Sequence, residues 1–251
     1  MAESQHWYCA QTGAPRYTTT GKNGKERNTT LRDAKANPGT LVPSVSTINS
    51  QLSKAGLNTW FQTEAIKAAA ENPRGLQEEE KDYISRILEL SKRKSQDAMA
   101  RGTLIHDFIE SFYNQDYLPD MPAYVRKVEE AVEAHFGTQL WIPEQSLVNG
   151  QEGYGGKCDL YCKPRHDFTG VVIDFKTTEK SPGDLTPYTE HIIQLAAYRE
   201  VLAPSARCAN VYINGETNEV AIYEHSEQDL KDGYQMFLNL LGIYKLKNKL
   251  N

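Results

Sequence analysis

The stretch Val171-Val172-Ile173-Asp174-Phe175-Lys176-Thr177-Thr178 sets a carboxylate and an ammonium two positions apart. On a β-strand alternate residues share a face, so Asp174 and Lys176 point together while Ile173 and Phe175 point to the opposite, apolar side. A surface ion pair would read the same way and would be worth little. Against that reading stands Asp159, in Gly155-Gly156-Lys157-Cys158-Asp159-Leu160. If the two segments pair as a meander, Asp159 falls on the face of Asp174, and Cys158, Leu160 and Cys162 face the core with Ile173 and Phe175. Two carboxylates at about 4 Å repel by on the order of 4 kcal/mol at an effective dielectric of about 20, so a cation is needed to hold them together. The chemistry on offer is a divalent cation held beside a lysine.

A third ligand can come from Arg101-Gly102-Thr103-Leu104-Ile105-His106-Asp107-Phe108-Ile109-Glu110, read as a helix. Gly102, His106 and Glu110 lie at i, i+4 and i+8 on one polar stripe, and Leu104, Ile105, Phe108, Ile109 and Phe112 supply the buried side. Glycine inside a helix costs about 1 kcal/mol relative to alanine, which suggests that something passes close there. A lone helical histidine is more often structural, but the stripe favours a ligand. A second helix carries Gln194 and Tyr198 at i and i+4, with His191 one turn earlier. Gln194 lies among Ile192, Ile193, Leu195, Ala196 and Ala197 and needs polar partners if buried; a core amide bonded to backbone is the rival reading. Of the four cysteines, Cys158 and Cys162 read as small hydrophobes on the packed face, and Cys9 and Cys208 have no partner spacing, so a metal–thiolate site is set aside.

These residues need a scaffold, and 251 residues are enough for one large α/β domain. The basic window Arg16 to Lys35 reads as a hairpin, with Tyr17 to Thr20 and Arg27 to Thr30 flanking Asn23-Gly24. Helices follow: from Ser44 to Ala55, stopped by Gly56; from an Asn58 cap to Glu71; Glu78 to Lys94; Gln96 to Tyr113; and from Pro122 to Phe136. Leu140 to Val148, Tyr154 to Lys163 and Thr169 to Lys176 are strand-like. A helix from Tyr188 to Leu202, strands at Cys208 to Ile213 and Glu219 to Tyr223, and a helix from Glu227 to Leu246 complete the order. We expect residues 1–42 to be a basic N-terminal segment and residues 43–251 one domain, with 43–138 a helical cap bearing the histidine helix and 139–251 the catalytic sheet. No apolar run is long enough for a membrane span. The start lacks a secretory pattern, and four cysteines are too few for a disulfide scaffold, so the expected location is the cytoplasm of a bacterial or phage-infected cell.

The net charge of −5 at first argues against nucleic acid. Yet Arg16 to Lys35 holds six basic residues against two acidic, and Glu216 to Asp232 holds six acidic against one basic. The surface is expected to be polarised.

Taken together, Gly-Thr-x-x-His (Gly102, Thr103, His106), Gly-x-x-Asp (Gly156 to Asp159), Asp-x-Lys (Asp174 to Lys176) and Gln-x-x-x-Tyr (Gln194 to Tyr198) resemble, in order, the motifs of the RecB-type branch of the PD-(D/E)XK nuclease superfamily. Pro43-Ser44-Val45-Ser46-Thr47-Ile48, His106 to Glu110 and Ile173 to Lys180 bring the likeness closer to the mitochondrial genome maintenance exonuclease group and its phage and bacterial relatives. The resemblance covers about Pro43 to Leu202. It implies a restriction-endonuclease-like α/β core: a mixed central sheet built from a three-strand antiparallel meander, a helix and further strands, flanked by helices and with an N-terminal helical cap.

The same resemblance makes His106, Asp159 and Asp174 ligands of Mg²⁺ or Mn²⁺, with the Phe175 carbonyl as a further one. It makes Lys176 the group that positions or activates the attacking water. Gln194 and Tyr198 would brace that lysine and contact the strand, with Thr177, Gly102 and Arg101 on the substrate side. Glu110 and Glu144 would stand behind the ligands. The family often has Glu where this chain has Asp174. The implied activity is a metal-dependent DNA exonuclease preferring single strands, in replication, repair or recombination; alternatives are a structure-specific endonuclease of the same superfamily or an inactive nucleic-acid-binding protein. The basic hairpin and cap would channel the strand, with Trp60, Phe61, Tyr113 or Tyr117 available for base stacking, although a core role suits those aromatics better.

Overall fold

Short elements that no periodicity announces open the chain. In the computed structural model, which describes residues 6–53 and 55–250, Trp7–Cys9 (β1) is followed by the hairpin Thr18–Thr20 (β2) and Glu26–Asn28 (β3), the helix Leu31–Ala36 (α1) and Leu41–Pro43 (β4), which returns to pair antiparallel with β1. The hairpin is the expected one, shorter at its open end, where Tyr17, Thr29 and Thr30 lie outside the strands, and longer by Glu26 at the turn. Its turn is closed by Gly21 N–H to Lys25 O at 2.7 Å, and Gly24 adopts a left-handed φ of 74°, where a side chain would be strained. Thr30 and Asp33 cap α1 reciprocally, and Arg27 grips the Asp33 carboxylate with both terminal nitrogens at 2.7 and 2.6 Å.

The chain divides into two compact units, one of Met1–Leu52 with Phe108–Asn251 and one of Ser53–Asp107. These cuts differ from the expected ones at 42/43 and 138/139. The β1–β4 ladder crosses position 42, and Ser44 forms a parallel bridge with Gly155, so the basic segment is built into the sheet unit.

Val45–Asn49 (α2) is shorter than expected: Ser44 caps it through Thr47 N–H, but it ends at Asn49. Ala55–Glu71 (α3) then starts ahead of Gly56 and runs through Asn58, so Gly56 is a first-turn residue and not a stop. Near a helix end glycine costs less than in the interior, and two local signals are outvoted. The two helices expected around Ser95 are one helix, Glu80–Tyr113 (α4), because a single serine lowers helix propensity by only tenths of a kcal/mol. Leu104, expected on its buried side, is 54% exposed. Within the second unit, Tyr83 donates to Ala69 O, and Arg86 binds both Glu78 carboxylate oxygens at 2.8 Å.

The sheet unit continues with Ala123–Phe136 (α5), Trp141–Asn149 (β5), Tyr154–Cys162 (β6), Val171–Thr177 (β7), Thr189–Leu202 (α6), Arg207–Ile213 (β8), Val220–Glu224 (β9) and Glu227–Asn248 (α7). The fold is mixed α/β around a five-stranded sheet in the order β5-β6-β7-β8-β9. The first three strands form the expected antiparallel meander, β8 joins β7 in parallel, and β9 returns antiparallel. A parallel neighbour requires a crossover, which α6 supplies. Val45 and Ile48 from α2, Ile193, Ala196 and Ala197 from α6, and Phe237 and Leu241 from α7 close over Leu147, Tyr154, Tyr161, Val172 and Cys208 of the sheet. The stripe Val125, Val128, Val132 and Phe136 of α5, at three- and four-residue spacing, is buried, and α5 packs on β8 and β9. No described helix is long and apolar enough to cross a membrane.

Cys158 overturns one expected detail. It belongs to the buried cluster on the α6 side with Tyr154, Tyr161 and Val172, whereas Leu160, Cys162, Ile173 and Phe175 are buried outside that cluster. Tyr154 and Cys158 share a parity that Tyr161 does not, so the alternation slips between Cys158 and Tyr161. Glu144, the β5 residue between the pairs Pro143–Leu160 and Gln145–Cys158, adopts a left-handed φ of 52° at that level.

An ion-pair network ties β8, β9 and α5 together. Arg207 donates to both oxygens of Glu224 at 2.7 and 2.5 Å, His135 Nε2 lies 2.8 Å from the same carboxylate, and the guanidinium sits 4.6 Å above the Phe136 ring. The Arg207 hydrogen bonds draw the Glu224 carboxyl from its ordinary 4.5 down to about 2, with His135 adding to the pull. A depressed carboxyl stabilises the fold fully above its unfolded value and loses that contribution as pH falls through its folded value. Between pH 4.5 and about 2 the wild type should therefore lose more thermal stability than Glu224→Gln. Melting curves that fall in parallel for the two proteins would show that the network contributes nothing.

Candidate active site

Strand β7 carries the site at its carboxyl end. Val171, Val172 and Ile173 are fully buried, Asp174 is 1% exposed, Lys176 is half-buried and Thr177 is exposed, so the polar pair sits where the strand emerges from the core. Lys176 Nζ straddles the Asp174 carboxylate, 3.0 Å from Oδ1 and 2.7 Å from Oδ2. The surface-pair reading fails on this burial. Removing one member of such a pair leaves the other uncompensated, at a cost of about 3–5 kcal/mol.

Asp159 lies one position beyond the β6–β7 ladder, whose last pair is Leu160 with Ile173. The strands part there. The Phe175 N–H donates to Asp159 Oδ2 at 2.7 Å, so the side chain takes the place of the next ladder bond. Continued by one position, the register sets Asp159 opposite Asp174 as the meander pairing expects, and its side chain reaches the N–H of the following residue, Phe175.

Helix α6 brings the amide. Gln194 Nε2 donates to Asp174 Oδ1 at 2.9 Å and to the Tyr198 hydroxyl at 3.0 Å, and its Oε1 accepts from Lys176 Nζ at 3.2 Å. Both ends of the amide are used, on the site and not on backbone. Tyr198 is buried; desolvation first, and the Asp174 charge second, push its phenol far above the ordinary value, so it stays protonated. Gly156 of the Gly-x-x-Asp motif has a direct reason here: a Cβ at that position would meet Tyr198 Cε1 at 2.7 Å. Gly155 beside it leaves room for Tyr8, whose hydroxyl is 2.7 Å from that of Tyr17. Burial first, then the charges of Asp159 and Asp174, push the Cys158 thiol well up, so it is inert as a nucleophile.

The remaining expected residues fall in several places. Glu144 stands at the level of Asp159 and forms an ion pair with Lys157. Glu110 is half-buried on the part of α4 that belongs to the sheet unit. Gly102, Arg101 and His106 lie on α4 within the second unit. Tyr113 is half-buried and packed edge-on against Phe112 and Trp141, and Tyr117 is 89% exposed. Trp60 and Phe61 make an edge contact at 5.1 Å within α3.

Among the described residues no group of three or more His, Cys, Asp or Glu side chains stands out as a metal site; of the expected set, Asp159 and Asp174 belong to the sheet unit and His106 to the second unit. Protein donors reach both carboxylates, Lys176 and Gln194 at Asp174 and the Phe175 N–H at Asp159. The donor types still suit a hard cation. Mg²⁺ is commonly held by one or two carboxylates with waters, and Asp159, Asp174 and the Phe175 carbonyl are oxygen donors on adjoining positions.

Two residues at the site were not singled out from the sequence. Asn210 of β8, which pairs with Asp174 in parallel register, donates to Asp174 Oδ2 at 2.8 Å, and His225 Nε2 lies 2.8 Å from Asn210 Oδ1. The available signal was an asparagine within the apolar run Cys208 to Ile213.

No protein-family model and no curated protein matches the chain. Among solved structures, SSO0001 is similar at 17% identity over 71% of this chain and 85% of that one, with a TM-score of 0.32. A protein from Eubacterium rectale, named as a candidate exonuclease, is similar at 13% identity over 60% of this chain and 68% of that one, with a TM-score of 0.39. At those scores neither neighbour bears on this chain's chemistry.

Proposed function

We propose that the chain is a metal-dependent nuclease that hydrolyses DNA phosphodiester bonds from a strand end, preferring single strands, in replication, repair or recombination within the cytoplasm. One observation carries this reading: at the exposed end of a buried strand, Lys176 and Asp174 are locked together by Gln194, with Asp159 bonded across the opening between β6 and β7. That is more organisation than a structural ion pair needs.

Asp159, Asp174 and the Phe175 carbonyl would hold Mg²⁺ or Mn²⁺. Such an ion, when bound, neutralises charge on phosphoryl oxygens and acidifies water. Lys176, whose three N–H donors are steered by Asp174 and Gln194, would orient the attacking water and offset charge on the phosphate. Gln194 fixes the lysine, and the Tyr198 hydroxyl fixes Gln194. The exposed cations Arg16, Lys22, Lys25, Arg32 and Lys35 of the sheet unit suit a phosphate backbone, whereas Arg27 is held by Asp33.

Labelled linear and circular single-stranded DNA, each with Mg²⁺, Mn²⁺ or chelator, test the proposal. Linear DNA should be degraded with either metal and spared by chelator, and circular DNA should persist. Cutting of the circle would replace the exonuclease with an endonuclease. Linear DNA that survives both metals would defeat the nuclease reading.

A further inference from the structure

Asp174 is also held from the side of β8. Asn210 is fully buried in a strand whose other residues are largely apolar, and the parallel register sets it beside Asp174. Its Nδ2 donates to Asp174 Oδ2 at 2.8 Å, and its Oδ1 lies 2.8 Å from Nε2 of His225, which joins β9 to α7. The His225 backbone N–H is bonded to Cys208 O at 2.9 Å, which ties the residue to the start of β8.

The direction of these bonds follows from donor chemistry. An ionised carboxylate only accepts, so the amide must turn its NH₂ to Asp174 and its oxygen to His225. His225 must then carry a proton on Nε2. Each hydrogen bond leads the same way, from His225 through Asn210 to Asp174. An apolar side chain would fill the strand position without the desolvation cost of a buried amide. What asparagine adds is a donor aimed at Asp174, with its short bond to carboxylate Oδ2 and a longer one, 3.4 Å, to the same residue's backbone oxygen.

We propose that Asn210 is a positioning residue for Asp174: held by His225, it fixes the orientation of that carboxylate and so sets the affinity of the site for its divalent cation. The inference rests on the metal-dependent reading above. Partners that orient a ligating group behind a metal site typically change affinity or activity about 10–100-fold when lost.

Mn²⁺ binding to the full chain, followed by electron paramagnetic resonance without DNA, is the direct test. Asn210→Ala and His225→Phe should each weaken Mn²⁺ binding about 10–100-fold and raise by a similar factor the metal concentration for half-maximal cleavage, with KM for DNA unchanged. His225→Gln, which keeps an N–H at a comparable reach, should recover most of the affinity. Thermal unfolding of all three separates misfolding from misplacement, and the half-buried His225 position keeps the test open if Asn210→Ala does not fold. If the wild type binds Mn²⁺ and both loss variants bind it equally well, the positioning role is gone; the same follows if His225→Gln behaves like His225→Phe. A wild type that binds no Mn²⁺ overturns the metal reading itself, and this inference with it.

Discussion

Lys176→Met should lower the rate of DNA cleavage by roughly 10²–10⁴-fold, the range expected when a positioned proton-transfer or charge-stabilising group is removed. The loss should appear in kcat, with KM for DNA nearly unchanged, because the ammonium acts at the reacting phosphate. Stability should change as well. The substitution strips the cation from a carboxylate that is almost wholly buried, and Asp174→Leu leaves the ammonium and two amides without their acceptor. Each single change should cost up to about 3–5 kcal/mol, with Lys176→Met at the low end because the lysine reaches solvent. The double variant should be less destabilised than the two costs added, by a coupling of about 0.5–3 kcal/mol. Cleavage kinetics and denaturant unfolding of the four proteins measure both effects. Full activity in Lys176→Met would remove the lysine from the mechanism.

Gly156→Val should damage fold and activity together. Even a Cβ at this position would stand 2.7 Å from Tyr198 Cε1, and the ring is enclosed and cannot swing clear. Overpacking of this kind costs about 1–3 kcal/mol. Because the Tyr198 hydroxyl accepts from Gln194, and Gln194 holds both Lys176 and Asp174, a displaced ring should propagate to the reacting groups. Tyr198→Phe isolates the hydroxyl, since it keeps the packing; it should fold nearly as well as wild type and lose less activity than Gly156→Val. Wild-type stability and turnover in Gly156→Val would mean that the ring does not rest on this strand.

Much of this site was legible because it is built from local rules. Strand alternation puts Asp174 and Lys176 on one side, and helical spacing aligns Gln194 with Tyr198, whatever surrounds them. The meander pairing then brings Asp159 to the strand that carries the pair. The shortfalls came where tertiary context governs. Three-residue strands such as β1 and β4 have no periodicity to read, and they exist because each completes the other. Gly56 and Ser95 are weak signals that a long helix absorbs. Cys158 sits on the α6 side because the alternation slips beside Asp159, which no period-two rule anticipates. Asn210 became meaningful only when the parallel register was known.

That parallel register bears on the order in which the site comes into being. The antiparallel strands β5, β6 and β7 can join through short loops, whereas β8 must wait for the whole crossover and close a longer chain segment at greater entropic cost. The two carboxylates are therefore brought together by nearby contacts, while the Asn210 bond to Asp174 spans 36 positions. Loop-closure entropy alone therefore predicts that Asp159 and Asp174 come onto neighbouring strands before Asn210 reaches Asp174, so a site competent to act is expected late in folding.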